Sequence, residues 1–369
     1  MSTFEIKIRQ ITEIEPITGA DLIVAAKIDG YNVVVRKGDF EVGSLVVYIP
    51  EGSVLPGWLI TEMGLEGRLA GPDKNRVKAI KLKGVLSQGL CYPVEVDEMN
   101  NDIFIENEEG TGGYDISDLY SDWADYLDIT KYEPPIPAQL QGQCEGLPRS
   151  VRIIKDGQES VHSLQLHYDI ENLKKYPDAF DNFDGDVVFT EKIHGTFMAI
   201  MALPGGDENV FVSSKGLLNL GVGLKINEEN KSNSYVKMLL SPEGQKVANL
   251  ALDIANIECL PVWIMGELFG VQDMRYGLEQ GKTSFRVFDI RVGDRYTPFQ
   301  WLIQFCNLSS VPYVPILFVG PYSNGMRDLV TNGLESVSGQ ERHIREGIVI
   351  RGYSKDLFDY HGRVILKSV

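Results

Sequence analysis

The segment TEKIHGT, Thr190 to Thr196, sets Lys192 at the end of one apolar run, ahead of a turn at Gly195 and a second apolar run. A lysine held at such a point could be a nucleophile. Attack needs the neutral amine, which desolvation, nearby cations or a metal favour over the ammonium. Taken alone, K-x-x-G is equally compatible with a lysine on a surface hairpin. Cys91, Cys144, Cys259 and Cys306 lie far apart with no CxxC, and the five histidines form no HExxH or Cys/His cluster. That spacing speaks against structural zinc and suits free, buried thiols in a reducing cytoplasm. The histidines at 162, 167, 343 and 361 have no partner pattern and receive no role. Neither GxGxxG nor GxxxxGK[ST] occurs, so Rossmann and P-loop nucleotide binding both lack support.

Four later segments change the weight of Lys192. They are MGELFG around Glu267, FRVFDI with Phe288 and Asp289, REGIVIR with Glu346, and VILKSV with Lys367. With EKIHGT they resemble, in order, motifs I, III, IIIa, IV and V of the covalent nucleotidyltransferases, the superfamily of RNA ligases, DNA ligases and mRNA-capping enzymes. The successive separations from Lys192 are 75, 21, 58 and 21 residues, reasonable for that superfamily. His194 stands where the usual K-x-D-G has Asp, which is similar to the RNA-ligase-2-like branch. The strings VYIPEGSVLP, KLKGVLSQGL and TKYEPPIPAQL extend the likeness, toward the Deinococcus-type RNA ligases, over nearly the whole chain.

The resemblance implies roles. Lys192 would attack the α-phosphate of ATP to give a lysyl-AMP phosphoramidate, and Glu191 would help position the adenine. Glu267 would accept a hydrogen bond from the ribose hydroxyl, and Phe288 would stack on the base. Glu346 would hold Mg²⁺ or Mn²⁺, since carboxylate oxygens suit hard cations. Lys367 would stabilise charge on the α-phosphate. His194, Gly195, Lys215 and Asp289 complete the implied nucleotide-binding set. Three positions depart from the pattern. Phe197 replaces an Asn, Lys215 replaces an Arg and so lacks its bidentate fork, and Val369 falls on the second lysine of motif V.

Positioning these residues requires a particular arrangement of elements. In FEIKIR, Phe4, Ile6 and Ile8 alternate with Glu5, Lys7 and Arg9, the period of a half-buried strand. LIVAAKIDGYNVVV carries the hairpin signal Asp29-Gly30, and SLVVYIP, RVKAIKLKG and GLCYPV add short strands. These predict an OB-like barrel over residues 1–105. An acidic, proline-containing linker is expected over 106–145, where Pro134, Pro135 and Pro137 enforce extended backbone. Residues 146–369 mix strands with helices. One helix is expected at 241–256, capped by Ser241, with Pro242 in its first turn and a stripe of Val247, Leu250, Ala251 and Ile254. A second follows Pro298, with Trp301, Leu302, Phe305 and Leu308 read as core. The fold class is therefore α+β: an OB-like barrel followed by an antiparallel-sheet nucleotidyltransferase domain.

Charge bears on the partner. The 369 residues hold 35 Lys and Arg against 52 Asp and Glu, a net −17 that by itself argues against binding a polyanion. Twelve of those carboxylates fall in residues 95–128, leaving 35 against 40 elsewhere. Lys74, Arg76, Lys78, Lys81 and Lys83 form a basic run suited to nucleic acid. No apolar run reaches the ~18 residues of a membrane span. The expectation is a monomeric ATP-dependent RNA ligase that seals 5′-phosphate and 3′-hydroxyl ends in nicked or broken RNA, with an RNA/DNA hybrid as another possible duplex. The rival readings are a capping-type guanylyltransferase or DNA ligase, and a non-catalytic nucleic-acid-binding protein with a degenerate transferase domain. His194, and the expectation that no second OB-like domain follows motif V, favour the RNA ligase over the first.

Overall fold

The computed structural model describes residues 4–97, 102–107, 110–115, 121–133, 135–136, 140–147, 150–155, 158–166, 168–206, 209–359 and 362–369. The chain divides into two compact units. One comprises the described residues up to Glu133 together with Lys174–Tyr176, and the other holds residues 135–173 and 177–369.

The first unit is built on the strand Leu45–Ile49, which pairs antiparallel with Lys7–Gln10 on one side and Leu90–Pro93 on the other. Its run of apolar residues has no alternation because both faces are covered. Val46 and Tyr48 pack with Ile28, Val33 and Cys91, while Val47 and Ile49 pack with Ile6, Leu59 and Tyr92. Ile23–Ile28 and Tyr31–Arg36 form the expected hairpin. Asp29 and Gly30 turn it at φ 47° and 77°, the paired positive values that a two-residue I′ turn demands. Lys7, expected to face solvent, is instead 5% exposed and pairs with Glu5 at 2.7 Å.

The acidic stretch is not a loose connector. Asp102–Asn107 pairs with Glu95–Asp97 and Gly110–Asp115 in a three-stranded sheet, and Ile103 and Ile105 are fully buried. Trp123 and Leu127 join the same core. The first unit therefore runs to Glu133, well past the boundary at 105 that composition suggests. Of the acidic residues, Glu95, Asp97, Asp102, Glu106 and Asp115 lie on these strands.

The second unit carries two mostly antiparallel sheets. The seven-stranded sheet runs, in spatial order, Cys144–Gly146, Val222–Leu224, Val210–Ser214, Thr196–Ala202, Val262–Phe269, Ser284–Val292, Arg295–Tyr296. The five-stranded sheet runs Glu171–Asn172, Leu366–Ser368, Ile348–Gly352, Val187–Glu191, Ile316–Gly320, with Glu171–Asn172 alone parallel to its neighbour. The helix Pro242–Glu258 lies on the larger sheet, burying Val247, Leu250, Ala251 and Ile254. Ser241 Oγ accepts from the Gly244 amide, and Cys259 ends the helix in a left-handed conformation. In the helix Phe299–Leu308, Leu302 is buried as expected, but Trp301 is 47% and Leu308 86% exposed. That helix turns one narrow stripe inward, and these two residues fall outside it.

Candidate active site

The chain leaves the smaller sheet at Glu191 and enters the larger one at Thr196, so Lys192–Gly195 form the crossing. Ile193 anchors this crossing in the hydrophobic core, and its other anchors are hydrogen bonds. The Lys192 amide donates to Gly347 O at 3.0 Å and the His194 amide to the Tyr276 hydroxyl at 2.7 Å. Gln272 Nε2 donates to Gly195 O at 2.8 Å, and the Gly195 amide donates to the Glu267 carboxylate. Glycine is required at 195 by close approach: a Cβ there would stand 2.5 Å from Leu268 O and 2.9 Å from Glu267 Cγ.

Beside the crossing opens a cavity with about 810 Å³ of empty space, open solvent at its mouth included. Glu191, Lys192, Lys215, Glu267, Phe288 and Lys367, all singled out from sequence, line it. Register explains their convergence. Phe197 pairs with Glu267 across the larger sheet, and Val349 pairs with Lys367 across the smaller one. Phe288 owes its place to a bulge: Met265 faces Asp289 while Gly266 faces Val287, leaving Phe288 as the extra residue. Such a bulge re-aims a side chain.

The charges are arranged in pairs. Lys192 Nζ donates to Glu346 Oε1 at 2.6 Å, and His194 Nδ1 stands 3.4 Å from the other oxygen of that carboxylate. Lys215 Nζ donates to Asp169 Oδ1 at 2.6 Å. Lys367 has no ion pair among the described residues. Glu191 Oε2 accepts from the amide and hydroxyl of Ser336, at 2.7 and 2.5 Å, while its Oε1 is buried with no hydrogen-bond partner. Burial raises the Glu191 pKa against those two bonds. Burial likewise pushes Glu267 up to about 7, opposed by Lys192 and reinforced by the Glu346 charge.

Four expectations meet a different arrangement. Asp289 does not reach the cavity. It is fully buried and accepts from Tyr168 Oη at 2.9 Å and Arg363 Nη1 at 2.7 Å, with Arg351 Nη1 at 3.2 Å. Burial alone would raise its pKa, but the two guanidinium groups hold it below the usual carboxylate value. It supports the wall of the cavity from behind. His194 and Gly195 lie on the crossing, outside the cavity lining, and act through the contacts just described. In the first unit, Lys74, Lys78, Lys81 and Lys83 are exposed as expected, the last two on the hairpin of Ile80–Leu82 with Val85–Ser87. Arg76 differs, for it is half-buried with its guanidinium 3.7 Å from the centre of the Tyr132 ring.

The cavity also contains residues that sequence reasoning did not assign. Tyr168, Phe197 and Phe288 form an aromatic trio with ring centroids 5.6 to 5.9 Å apart. Phe197 was visible only as a departure from a motif. Tyr168 comes from an irregular segment with no periodic signal. Arg351, 2% exposed, lines the floor and donates to Phe288 O at 3.1 Å. The signal that could have found it is a charge directly after the apolar run GIVI. No group of three His, Cys, Asp or Glu side chains among the described residues is placed to hold a metal by protein ligands alone. No helix of the described residues is long and apolar enough to cross a membrane.

The family model described as RNA ligase matches residues 185–369, half of the chain, taking in the crossing and every strand of the two sheets except Cys144–Gly146 and Glu171–Asn172. The protein belongs to the RNA ligase family. In this RNA ligase family member the first unit matches an OB-fold domain over residues 6–94. Solved structures of Naegleria gruberi RNA ligase share its fold. An apo variant is 20% identical with a TM-score of 0.62, covering 99% of this chain and 96% of that one. Two further variants, one with AMP and Mn and one with ATP and Mn, are each 20% identical, with TM-scores of 0.63 and 0.62, covering 100% of this chain and 97% of theirs. No curated protein matches the sequence.

Proposed function

We propose that this member of the RNA ligase family uses ATP to join a 5′-phosphate to a 3′-hydroxyl at nicks or breaks in RNA, through a covalent nucleotide on Lys192. The observation that carries this reading is Lys192 itself, fixed at a crossing between two sheets at the edge of an aromatic cavity flanked by two further lysines. The neighbours solved with ATP and Mn or with AMP and Mn add support.

In the first step the Lys192 amine attacks the α-phosphorus. A P–N bond forms, the bond from α-phosphorus to the bridging oxygen breaks, and pyrophosphate leaves. The amine must shed a proton, and the nearest acceptor is Glu346 Oε1 at 2.6 Å. The base would stack on Phe288, and the free Glu191 Oε1 suits the amino group of adenine, which guanine does not present at that edge. Glu267 would accept from a ribose hydroxyl, while Lys215 and Lys367 would face the phosphates. In the second step a 5′-phosphate oxygen of RNA attacks the same phosphorus and the P–N bond breaks, so Lys192 recovers its proton. In the third, the 3′-hydroxyl attacks that 5′-phosphate and AMP departs.

The donor set fits a divalent cation only in part. Glu346, which the motif resemblance assigns to the metal, is bonded to Lys192 and lies outside the cavity lining, and Mg²⁺ or Mn²⁺ held by it would complete its shell with phosphate oxygens and water, as hard cations commonly do. When bound, it supplies neutralisation of phosphate charge.

Labelled ATP decides the matter. The intact protein should acquire label and release pyrophosphate, Lys192→Ala should acquire none, and nicked RNA should then be sealed. Labelling by GTP alone would support a guanylyltransferase instead, and an unlabelled wild-type protein would leave only a binding role.

A further inference from the structure

Two of the four hydrogen bonds that anchor the crossing come from one segment, residues 270–283, which joins the strands Val262–Phe269 and Ser284–Val292. Gln272 reaches the Gly195 carbonyl at 2.8 Å and Tyr276 receives the His194 amide at 2.7 Å. Neither side chain lines the cavity. Tyr276 is 4% exposed, its ring held edge-on between Phe269 at 5.2 Å and His343 at 4.8 Å. Its φ of 49° is a left-handed value that a bulky residue rarely adopts. Strain of that kind persists only where surrounding contacts fix it, and it gathers at functional sites. The ring packing alone would be served by phenylalanine.

We propose that Tyr276 and Gln272 are positioning residues for the nucleotidyl-transfer step, holding the Lys192–Gly195 backbone so that the Lys192 amine meets the α-phosphorus in line. Resting on the reading of Lys192 as nucleophile, this goes beyond it by naming what aims that lysine. The physical argument is one of lever arms. The Lys192 side chain is long, and Glu346 holds only its tip. Its base is held by the Lys192 amide bond to Gly347 O and by the buried Ile193, and the two residues that follow are held by Tyr276 and Gln272, so the direction of attack depends on these anchors together. Removing the Tyr276 hydroxyl strands the His194 amide, and removing the Gln272 amide strands the Gly195 carbonyl. The crossing then relaxes toward other partners, while the aromatic cavity that receives the base is untouched.

The experiment is single-turnover transfer of label from ATP to full-length wild type, Tyr276→Phe, Gln272→Ala and the double variant, over a range of ATP concentrations. Tyr276→Phe keeps the ring and its packing, so folding is expected to survive, with thermal unfolding as the control. Each single variant is expected to lose about tenfold in the maximal rate, the size of one hydrogen bond expressed in the transition state. The ATP concentration for half-maximal rate should stay within about twofold, because uniform binding is not being removed. Should Tyr276→Phe be too unstable to assay, Gln272→Ala, whose side chain is only half-buried, carries the same test. Wild-type maximal rates in both single variants would overturn the proposal, as would losses seen only in the half-maximal concentration. A wild-type protein that takes no label sinks the ligase reading first, which separates the two failures.

Discussion

At the residue scale, three groups of opposing need meet at Lys192, two of them in the cavity lining and the third, Glu346, reached through its bond to the lysine. Lys192 must be free to attack, Glu346 holds it, and Glu267 sits beside both in a partly dry site. Burial dominates at Glu267, lifting its pKa from 4.5 to about 7 despite the attraction of Lys192. The folded chain therefore keeps this proton over a range where the unfolded chain has released it. Stability from this group is complete below pH 4.5 and is lost as the pH climbs to about 7, with no further loss above. The amplitude is at most about 3 kcal/mol. Urea unfolding at pH 5 and pH 8 measures it directly. Wild type should lose stability over that interval relative to Glu267→Gln, which cannot ionise, and parallel behaviour of the two proteins would contradict the burial argument. A nucleotide bound through its ribose hydroxyl should narrow the gap, since a hydrogen bond to the carboxylate favours its charged form.

At the element scale, the decisive feature is the passage of the chain from one sheet to the other through Lys192–Gly195. Gly195→Ala tests it, because the added methyl would collide with Leu268 O and Glu267 Cγ. Overpacking of this sort costs about 1–3 kcal/mol. The crossing must shift to accept the methyl, so label transfer should fall about a hundredfold. Thermal unfolding and ATP labelling, measured together, check both parts, and full labelling by Gly195→Ala would show that the crossing tolerates displacement. Much of this scale was legible in the sequence. The ordered motif resemblance picked out Glu191, Glu267, Phe288 and Lys367, all of which line the cavity, and capping residues marked the helix that became Pro242–Glu258. Other parts had no local signal. Asp289 entered the implied nucleotide-binding set through the resemblance of FRVFDI to motif IIIa, yet its partners Arg351 and Arg363 are supplied by distant segments that only the folded chain brings together. The bulge that presents Phe288 arises from strand pairing, which a single strand cannot announce. The acidic hairpin was misjudged because charge density outweighed the alternation of Ile103 and Ile105, which was present all along.

At the scale of the whole molecule, the question is how a chain of net charge −17 engages a polyanion. The sheet that carries much of the acidity also buries Ile103 and Ile105, so those carboxylates are part of a folded surface. Elsewhere on the same unit, Lys74, Lys78, Lys81 and Lys83 are exposed and pair with no carboxylate among the described residues, whereas Arg76 is engaged with Tyr132. If these four lysines contact RNA phosphates, their work is separable from the chemistry, since every group proposed to handle ATP belongs to the other unit. Reversing Lys78, Lys81 and Lys83 to Glu should then leave ATP labelling of Lys192 at the wild-type rate. Affinity for nicked duplex RNA should drop, and the dependence of log affinity on log salt should flatten by roughly 0.7–0.9 for each phosphate contact removed. Binding measured across a salt series, beside labelling without RNA, separates the two effects. An unchanged salt slope with unchanged sealing would show that the strip is only a solvated strand edge. A parallel loss of labelling would mean that the two units do not divide the work in this way.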